Sequence, residues 1–163
     1  MITNLNIGRY GRLGNQLYQY ASSFSLSKKL NTELWIPVES EFYKTNGRYN
    51  PTIKKNDEYG NDLFKLFDLK FCKKKPLIEI QKSIKYYYNE PNIVKYYPEF
   101  WNQKDGTCLH GYFQAKEYVD EYGEDLRREL ELQNFYFDYG NNFIVNLKKI
   151  IKIFFQYILE GVI

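Results

Sequence analysis

The first 36 residues place a strand, a helix and a second strand in succession, and this order constrains the fold more than any other feature. Residues 2–7 are apolar and predict a buried strand. Residues 15–30 predict a helix, because apolar side chains from Leu17 to Phe24 recur with the i, i+3, i+4, i+7 spacing of one helical face. Residues 33–36 predict a second strand, which a proline ends. Because such a βαβ unit joins parallel strands, we expect an α/β domain with a mainly parallel sheet.

The junction between the first strand and the helix contains Gly11 and Gly14, followed by Asn15 and Gln16. Glycine tolerates a positive φ and lets a ligand approach the backbone closely. The first amide groups of a helix lack intrahelical partners and attract anions such as phosphate. The junction therefore favours a polar ligand that is phosphorylated or sugar-like. Four polar side chains of the helix are expected to lie off its buried face: Gln16, Gln19, Ser23 and Ser27.

The rest of the chain predicts shorter elements. Residues 41–61 are polar and rich in turn-forming residues, so we expect a long surface excursion there. The lysines at 73–75 predict a solvated loop, and residues 76–103 predict short strands and turns. Residues 107–113 predict a strand, and residues 116–132 predict a helix.

Charge and cysteine usage exclude several classes of protein. The net charge is +3, from 23 basic and 20 acidic residues, and this is too mild for the basic footprint of a nucleic-acid-binding protein. Cys72 and Cys108 stand alone and lack the spacing of zinc ligands, so we expect no metal site and a reducing compartment. The N-terminus lacks the apolar segment of a signal peptide, so we expect a cytoplasmic protein, in the host cytoplasm if the gene is viral. Seventeen tyrosines and twelve phenylalanines suggest a core built on aromatic rings.

The C-terminal stretch at residues 143–163 is apolar but is interrupted by lysines, and Lys152 falls near its middle. A lysine at the centre of a membrane-spanning helix costs roughly 2.5–3.5 kcal/mol. We therefore expect a partly buried or interfacial amphipathic helix, with membrane association as the alternative.

Residues 11–21 read Gly-Arg-Leu-Gly-Asn-Gln-Leu-Tyr-Gln-Tyr-Ala. This run resembles, at all eleven positions, the N-terminal signature of the α-1,2-fucosyltransferases of glycosyltransferase family 11. Residues 111–114, Gly-Tyr-Phe-Gln, resemble a strand-to-helix element of the same family, and residues 63–69 resemble its aromatic-leucine segment. The resemblance covers residues 1–132.

The resemblance implies a fold, a reaction and a set of substrates. The fold would be a Rossmann-like, three-layer domain that corresponds to the N-terminal, acceptor-side half of a GT-B glycosyltransferase. The reaction would transfer L-fucose from GDP-fucose to the 2-hydroxyl of a galactoside, with inversion and without a divalent cation. The partners would therefore be a sugar nucleotide and a galactoside glycan, with no cofactor beyond the donor substrate.

The resemblance also implies site residues. Asn15 is the expected catalytic residue, because the matching asparagine lies in the interdomain cleft near the transferred sugar. Arg12 would offset the diphosphate charge, with a surface position on the turn as its alternative. His110 precedes the Gly-Tyr-Phe-Gln element at a predicted strand end, where α/β folds place ligands, with a structural role as its alternative. The expected substrate-binding residues are Gly11, Arg12, Gly14, Gln16, His110, Tyr112 and Gln114.

One part of the family pattern is missing. The family continues with a His-x-Arg-Arg-Gly-Asp-Tyr motif, which opens the domain that holds most of the GDP-fucose contacts, and the 163 residues contain no such run. Residues 133–163 form an atypical apolar, lysine-rich tail instead. We therefore expect a truncated fucosyltransferase-like protein with little or no activity alone, whose second half is missing or lies on another chain. The alternative is a non-catalytic carbohydrate-binding or interaction module derived from a truncated glycosyltransferase gene.

A dinucleotide site is the competing interpretation of the glycine-rich junction. The nicotinamide fingerprint needs glycines spaced G-x-G-x-x-G. Gly8, Gly11 and Gly14 are spaced G-x-x-G-x-x-G instead, so the sequence disfavours this interpretation.

Overall fold

The computed structural model describes residues 1–7, 13–38, 62–93, 95–130, 149 and 151–157. The predictions for Gly11 and Arg12 and the surface excursion at residues 41–61 lie outside these residues.

The described residues form a sheet of five parallel strands in the order β3-β2-β1-β5-β4. The strands are β1 (Ile2–Asn4), β2 (Leu34–Pro37), β3 (Lys73–Lys75), β4 (Tyr86–Asn89) and β5 (Thr107–His110). Thr3 at the centre of β1 pairs with Trp35 of β2 on one side and with Cys108 of β5 on the other. The prediction of an α/β fold with a parallel sheet is therefore confirmed.

Four α-helices and three 3-10 turns accompany the sheet within residues 1–130 as far as the structure describes them. The helices are α1 (Leu13–Lys29), α2 (Asp62–Leu66), α3 (Leu77–Ser83) and α4 (Gly123–Glu129), and the 3-10 turns are Pro98–Asn102, Lys116–Tyr118 and Asp120–Tyr122. Helix α1 contacts β1, β2, α2, α4 and the last two 3-10 turns, whereas α3 packs against β2. The predicted βαβ unit is thus present, and α1 is enclosed by the sheet and by other elements.

The four polar side chains of α1 that were expected to lie off its buried face are buried, so that expectation was wrong. Gln16, Gln19, Ser23 and Ser27 are all fully buried, because α1 is covered by neighbouring helices as well as by the sheet. Their burial is partly compensated within the helix. Ser23 Oγ donates to the carbonyl of Gln19 at 2.7 Å, and Ser27 Oγ donates to the carbonyl of Ser23 at 2.8 Å.

Two predicted strands end earlier than their apolar patterns indicated. β1 ends at Asn4 rather than at residue 7, because Asn4 Oδ1 accepts the backbone N–H of Asn6 at 2.9 Å and forms a turn. β5 ends at His110 rather than at residue 113, because Phe113 has a φ of +53°, which extended strands do not adopt. Both corrections place polar residues at the carboxyl ends of adjacent strands.

Two other local predictions were wrong, and a third was incomplete. The lysines at 73–75 form the exposed edge strand β3, paired with β2, instead of a loop. Residues 76–103 contain the predicted short strand and turn, as β4 and a 3-10 turn, but they also form helix α3, whose buried Ile80 was not foreseen. Residues 116–132 do not form one helix, because Val119, with φ of −133°, separates two 3-10 turns before α4 begins.

Aromatic rings form the core beside β4 and β5, as the composition suggested. Phe100, Phe113 and Tyr118 are fully buried, and their ring centroids lie 4.7–5.5 Å apart. Such packed rings contribute beyond their buried area. The cluster anchors the segment that follows β5.

Residues 151–157 are helical and partly buried, in agreement with the amphipathic helix expected there. Phe154 and Phe155 join the core, while Lys152 and Ile153 are exposed. The Phe154 ring lies 5.1 Å from that of Tyr18, so this segment packs on α1. None of the helices in the described ranges has the length and apolar character needed to cross a bilayer.

Candidate functional site

The polar residues after β1 and β5 meet at one edge of the sheet. The chain runs outward from β1 through β2 to β3, crosses to the opposite edge for β4, and then places β5 between β4 and β1. Because this order reverses between β1 and β5, their carboxyl ends form the kind of crevice where open parallel sheets bind ligands. Asn4 pairs in register with Leu109. The residues just beyond, Asn6 and His110, lie in contact, with Asn6 Nδ2 3.2 Å from His110 Nδ1.

The two sequence motifs also meet at this edge. Gln114 Nε2 donates a hydrogen bond to Asn15 Oδ1 at 2.8 Å, across 99 residues of chain. Asn15 lies in the first turn of α1, and both side chains are partly buried. The structure therefore brings together Asn15 and Gln114, which were predicted separately as catalytic and substrate-binding residues.

Gly14 leaves open space beside this pair. A Cβ atom added at Gly14 would meet nothing within 4 Å among the described residues, and Gly14 does not adopt a positive φ. Neither the packing of the residues that the structure describes nor the backbone geometry therefore requires a glycine here. A ligand that approaches the start of α1 closely would require one.

Gln16 and Tyr112 occupy different surroundings. Gln16 is fully buried, and its Oε1 accepts the backbone N–H of Leu63 at 3.3 Å, which places it in the contact between α1 and α2. Tyr112 is partly buried in the turn after β5, and His110 at the end of β5 is exposed. Five of the predicted residues therefore lie at this edge of the sheet, among the residues that the structure describes: Gly14, Asn15, His110, Tyr112 and Gln114.

Glu90 is a site residue that the sequence reasoning missed. It follows β4 directly, and its carboxylate accepts the backbone N–H groups of Tyr112, at 2.8 Å, and of Phe113, at 3.0 Å. Burial raises the pKa of the Glu90 carboxyl, and the hydrogen bonds from Phe113 and Tyr112 oppose that rise. Its position after a strand, in the run Asn-Glu-Pro-Asn, was the available signal, but the sequence alone did not place β4 beside β5.

Asn4 and Asn6 were also missed. Asn4 is fully buried, and while its Oδ1 accepts the Asn6 N–H, its Nδ2 has no hydrogen-bond partner among the described residues. Asn6 is nearly buried as well. Two asparagines at the end of an otherwise apolar strand were the signal for this part of the site.

The described residues also bear on metal and thiol chemistry. They contain no group of three or more His, Cys, Asp or Glu side chains that could hold a metal ion.

Cys72 and Cys108 are free and buried, and burial raises the pKa of Cys72 to about 12 and that of Cys108 to about 11. Both thiols are therefore protonated at neutral pH, which disfavours a nucleophilic role.

In comparisons with known proteins, no family model, curated protein or solved structure matches this chain.

Proposed function

We propose that this chain forms the acceptor-side domain of a GT-B type α-1,2-fucosyltransferase, in which L-fucose passes from GDP-fucose to the 2-hydroxyl of a galactoside. The observation that supports this most is the 2.8 Å hydrogen bond between Asn15 and Gln114. It joins the two motifs that resemble the family, at the sheet edge where α/β folds bind ligands.

The chemistry of the site suits sugar hydroxyl groups. Asn15, Gln114 and Asn6 supply amides, which both donate and accept hydrogen bonds. An amide does not take up a proton at neutral pH, so in this proposal Asn15 orients the acceptor hydroxyl rather than deprotonating it. The Asn6 amide donates to His110 Nδ1, which leaves the proton of a neutral imidazole on Nε2 as a donor to a sugar oxygen.

The reaction also needs groups that stabilise the departing diphosphate. Removing one preorganised charge-stabilising contact typically costs about 2.7–4 kcal/mol in the transition state. The arginines of the His-x-Arg-Arg-Gly-Asp-Tyr motif would supply such contacts, and the 163 residues lack that motif. We therefore propose that efficient transfer requires a donor-binding half in addition to these 163 residues.

A transfer assay tests this proposal. It uses radiolabelled GDP-fucose and a β-galactoside, and it is run with and without a donor-binding domain from a family 11 enzyme. Saturation-transfer NMR with the galactoside alone tests acceptor binding by the 163-residue chain. We expect galactoside binding that Asn15→Ala and Gln114→Ala each weaken. Tyr87→Ala should not weaken it, because Tyr87 is 69% exposed on β4 and pairs in register with Cys108, before the carboxyl end of β5. Wild-type chain that shows neither galactoside binding nor transfer would contradict the proposal.

A non-catalytic carbohydrate-binding module is the second candidate. The side-chain amides of Asn15 and Gln114, which can bind sugar hydroxyl groups without any transfer step, support it. Two results together would select this candidate over the enzyme. The chain would bind the galactoside through Asn15 and Gln114, and it would show no transfer or donor hydrolysis even when a donor-binding half is added.

A further inference from the structure

The turn after β5 holds a carboxylate from a different strand. Tyr112 N–H donates to Glu90 Oε2 at 2.8 Å, and Phe113 N–H donates to both carboxylate oxygens at 3.0 Å. Successive backbone N–H groups of this kind form a concave seat for an anion. Hydrogen bonds to an ionised acceptor are roughly twice as strong as those between neutral groups. The anion that fills this seat is the chain's own Glu90.

The backbone of the turn is adapted to that contact. A Cβ atom at Gly111 would lie 2.5 Å from Glu90 Cβ and 2.7 Å from Oε2, so only glycine lets the Glu90 side chain approach. Phe113 adopts a φ of +53°, which is unfavourable for a residue with a side chain. Its N–H bond to Glu90 and its ring, fully buried against Phe100 and Tyr118, hold that conformation.

The turn sets the position of the next residue, Gln114, whose Nε2 lies 2.8 Å from Asn15 Oδ1. We propose that Glu90 is a positioning residue: it holds the turn at Tyr112 and Phe113 so that Gln114 meets Asn15 at the start of α1. The part of this inference that concerns a substrate rests on the proposed function, whereas the part that concerns the turn does not.

Protonation of Glu90 would weaken the seat, because a neutral carboxylic acid is a poorer acceptor for two N–H groups. Burial raises the pKa of the Glu90 carboxyl, so this protonation occurs at a higher pH than for an exposed glutamate. The titratable groups that the described contacts place near Glu90 include Tyr88 just before it in the chain and Tyr118 from a 3-10 turn. They also include Tyr112, and His110, whose carbonyl accepts the Glu90 N–H at 2.9 Å, while Glu99 acts on the neighbouring Tyr88. A Glu90→Gln variant identifies which pH transition belongs to Glu90.

Selective isotope labelling can observe this turn directly. Gly111–Tyr112 is the single Gly–Tyr pair in the chain, so carbonyl-¹³C glycine combined with ¹⁵N tyrosine gives one amide peak, that of Tyr112. In Glu90→Gln we expect this amide proton to move upfield and to lose about tenfold or more of its protection from hydrogen exchange, the size expected when one charge-assisted hydrogen bond is lost. Glu117→Gln, at an exposed glutamate on the turn Lys116–Tyr118, is the matched control and should leave the peak in place.

The pH titration of the same peak provides a second test on the unmutated chain. We expect the Tyr112 peak to follow a carboxyl transition with a midpoint above 4.5, the ordinary value for glutamate, and we expect Glu90→Gln to abolish that transition. If Glu90→Gln fails to fold, the wild-type titration alone decides. A Tyr112 peak that shows no carboxyl transition, or that keeps its position and protection in a folded Glu90→Gln variant, would overturn the inference.

Galactoside affinity then tests the link to the substrate. We expect the affinity of the wild type to fall with the same pH transition as the Tyr112 peak, and the affinity of Glu90→Gln to be weaker and independent of pH in that range. A galactoside affinity that Glu90→Gln leaves unchanged would overturn the substrate part. A wild-type chain that binds no galactoside would refute the proposed function, while the Tyr112 peak would still decide whether Glu90 holds the turn.

Discussion

Gln114 donates a hydrogen bond from its side-chain amide to Asn15 Oδ1 at 2.8 Å, and so ties the turn after β5 to the first turn of α1. The two residues lie 99 positions apart, so this bond exists only in the folded protein. Its contribution to the free energy of unfolding can be separated from the other effects of each substitution.

We predict that Asn15→Ala and Gln114→Ala are energetically coupled. A typical intramolecular hydrogen bond contributes about 0.5–1.5 kcal/mol net, so the coupling energy of the double-mutant cycle should lie in that range. Urea denaturation of the wild type, both single variants and the double variant measures it. Strictly additive free-energy changes would contradict the contact.

Gly111→Ala is predicted to destabilise the chain. The new Cβ atom would lie 2.5 Å from Glu90 Cβ, so the turn after β5 must shift, and forced overpacking typically costs about 1–3 kcal/mol. Gly14→Ala is the matched control, because its Cβ would meet nothing within 4 Å among the described residues and α1 gains roughly 0.8–1 kcal/mol from alanine in place of glycine. If urea denaturation gives Gly111→Ala the same free energy of unfolding as Gly14→Ala, this account of the turn is wrong.

The start of the fold was predictable because its signals are local. The apolar strand β1, the helical spacing in α1 and the strand β2 each follow from residues close together in sequence. β3 was missed because its lysines carry no strand signal, and it exists only through pairing with β2. The interior of α1 was misjudged for the same reason, since α2, α4 and the 3-10 turns that cover it come from distant parts of the chain.

The site was predictable only where a motif marked it. Asn15 and Gln114 lie in runs that resemble a family, and the structure places them in contact. Glu90 lies in no such run, and its role depends on β4 lying beside β5, which no local pattern encodes. Asn6 and His110 meet because β1 and β5 are adjacent and in register, a feature of the tertiary fold.

Tyr20→Phe is predicted to lower stability by about 1.5–3 kcal/mol, the range for a hydrogen bond to a charged group. Tyr20 is fully buried and donates its hydroxyl hydrogen to Glu129 Oε1 at 2.6 Å, while the N–H of Phe71 donates to the same oxygen at 2.8 Å. The variant leaves the half-buried carboxylate with one partner fewer. Thermal and urea denaturation measure the loss, and Tyr86→Phe, at a tyrosine 47% exposed on β4, should change stability little. Equal effects of the two substitutions would contradict the prediction.

Asp125→Asn is predicted to lower stability at pH 7, and to do so less and less as the pH falls into the acid range. A hydrogen bond from Lys28, at 2.9 Å, holds the pKa of Asp125 below its usual value of 3.8. Because the folded state favours the carboxylate, this stabilisation is present above pH 3.8 and is lost as the pH falls through the lowered pKa. Both side chains are partly exposed, so we expect only about 0.2–1 kcal/mol.

Urea denaturation at a series of pH values from neutral to acid measures the free energy of unfolding, and the wild-type and Asp125→Asn values should converge in acid. Glu124→Gln, at an exposed position on α4, is the control and should run parallel to the wild type. A constant gap between the Asp125→Asn and wild-type curves would refute the ion pair as its cause.

The 163-residue chain is predicted to bind GDP-fucose very weakly by itself. Gly14, Asn15, Tyr112 and Gln114 are all partly exposed, so the described edge of the sheet offers one wall to a ligand. Sites for small molecules usually bury about 70–90% of their ligand, which one wall does not achieve. The sequence also lacks the arginine motif that would hold the diphosphate.

We therefore expect a dissociation constant around 1 mM or weaker, equivalent to about −4 kcal/mol. Titration calorimetry measures it, with GDP as the control for the contribution of the fucose. A micromolar constant for the isolated chain would show that these residues bind the donor without a second domain, and would contradict the proposed division of donor and acceptor sites between two halves.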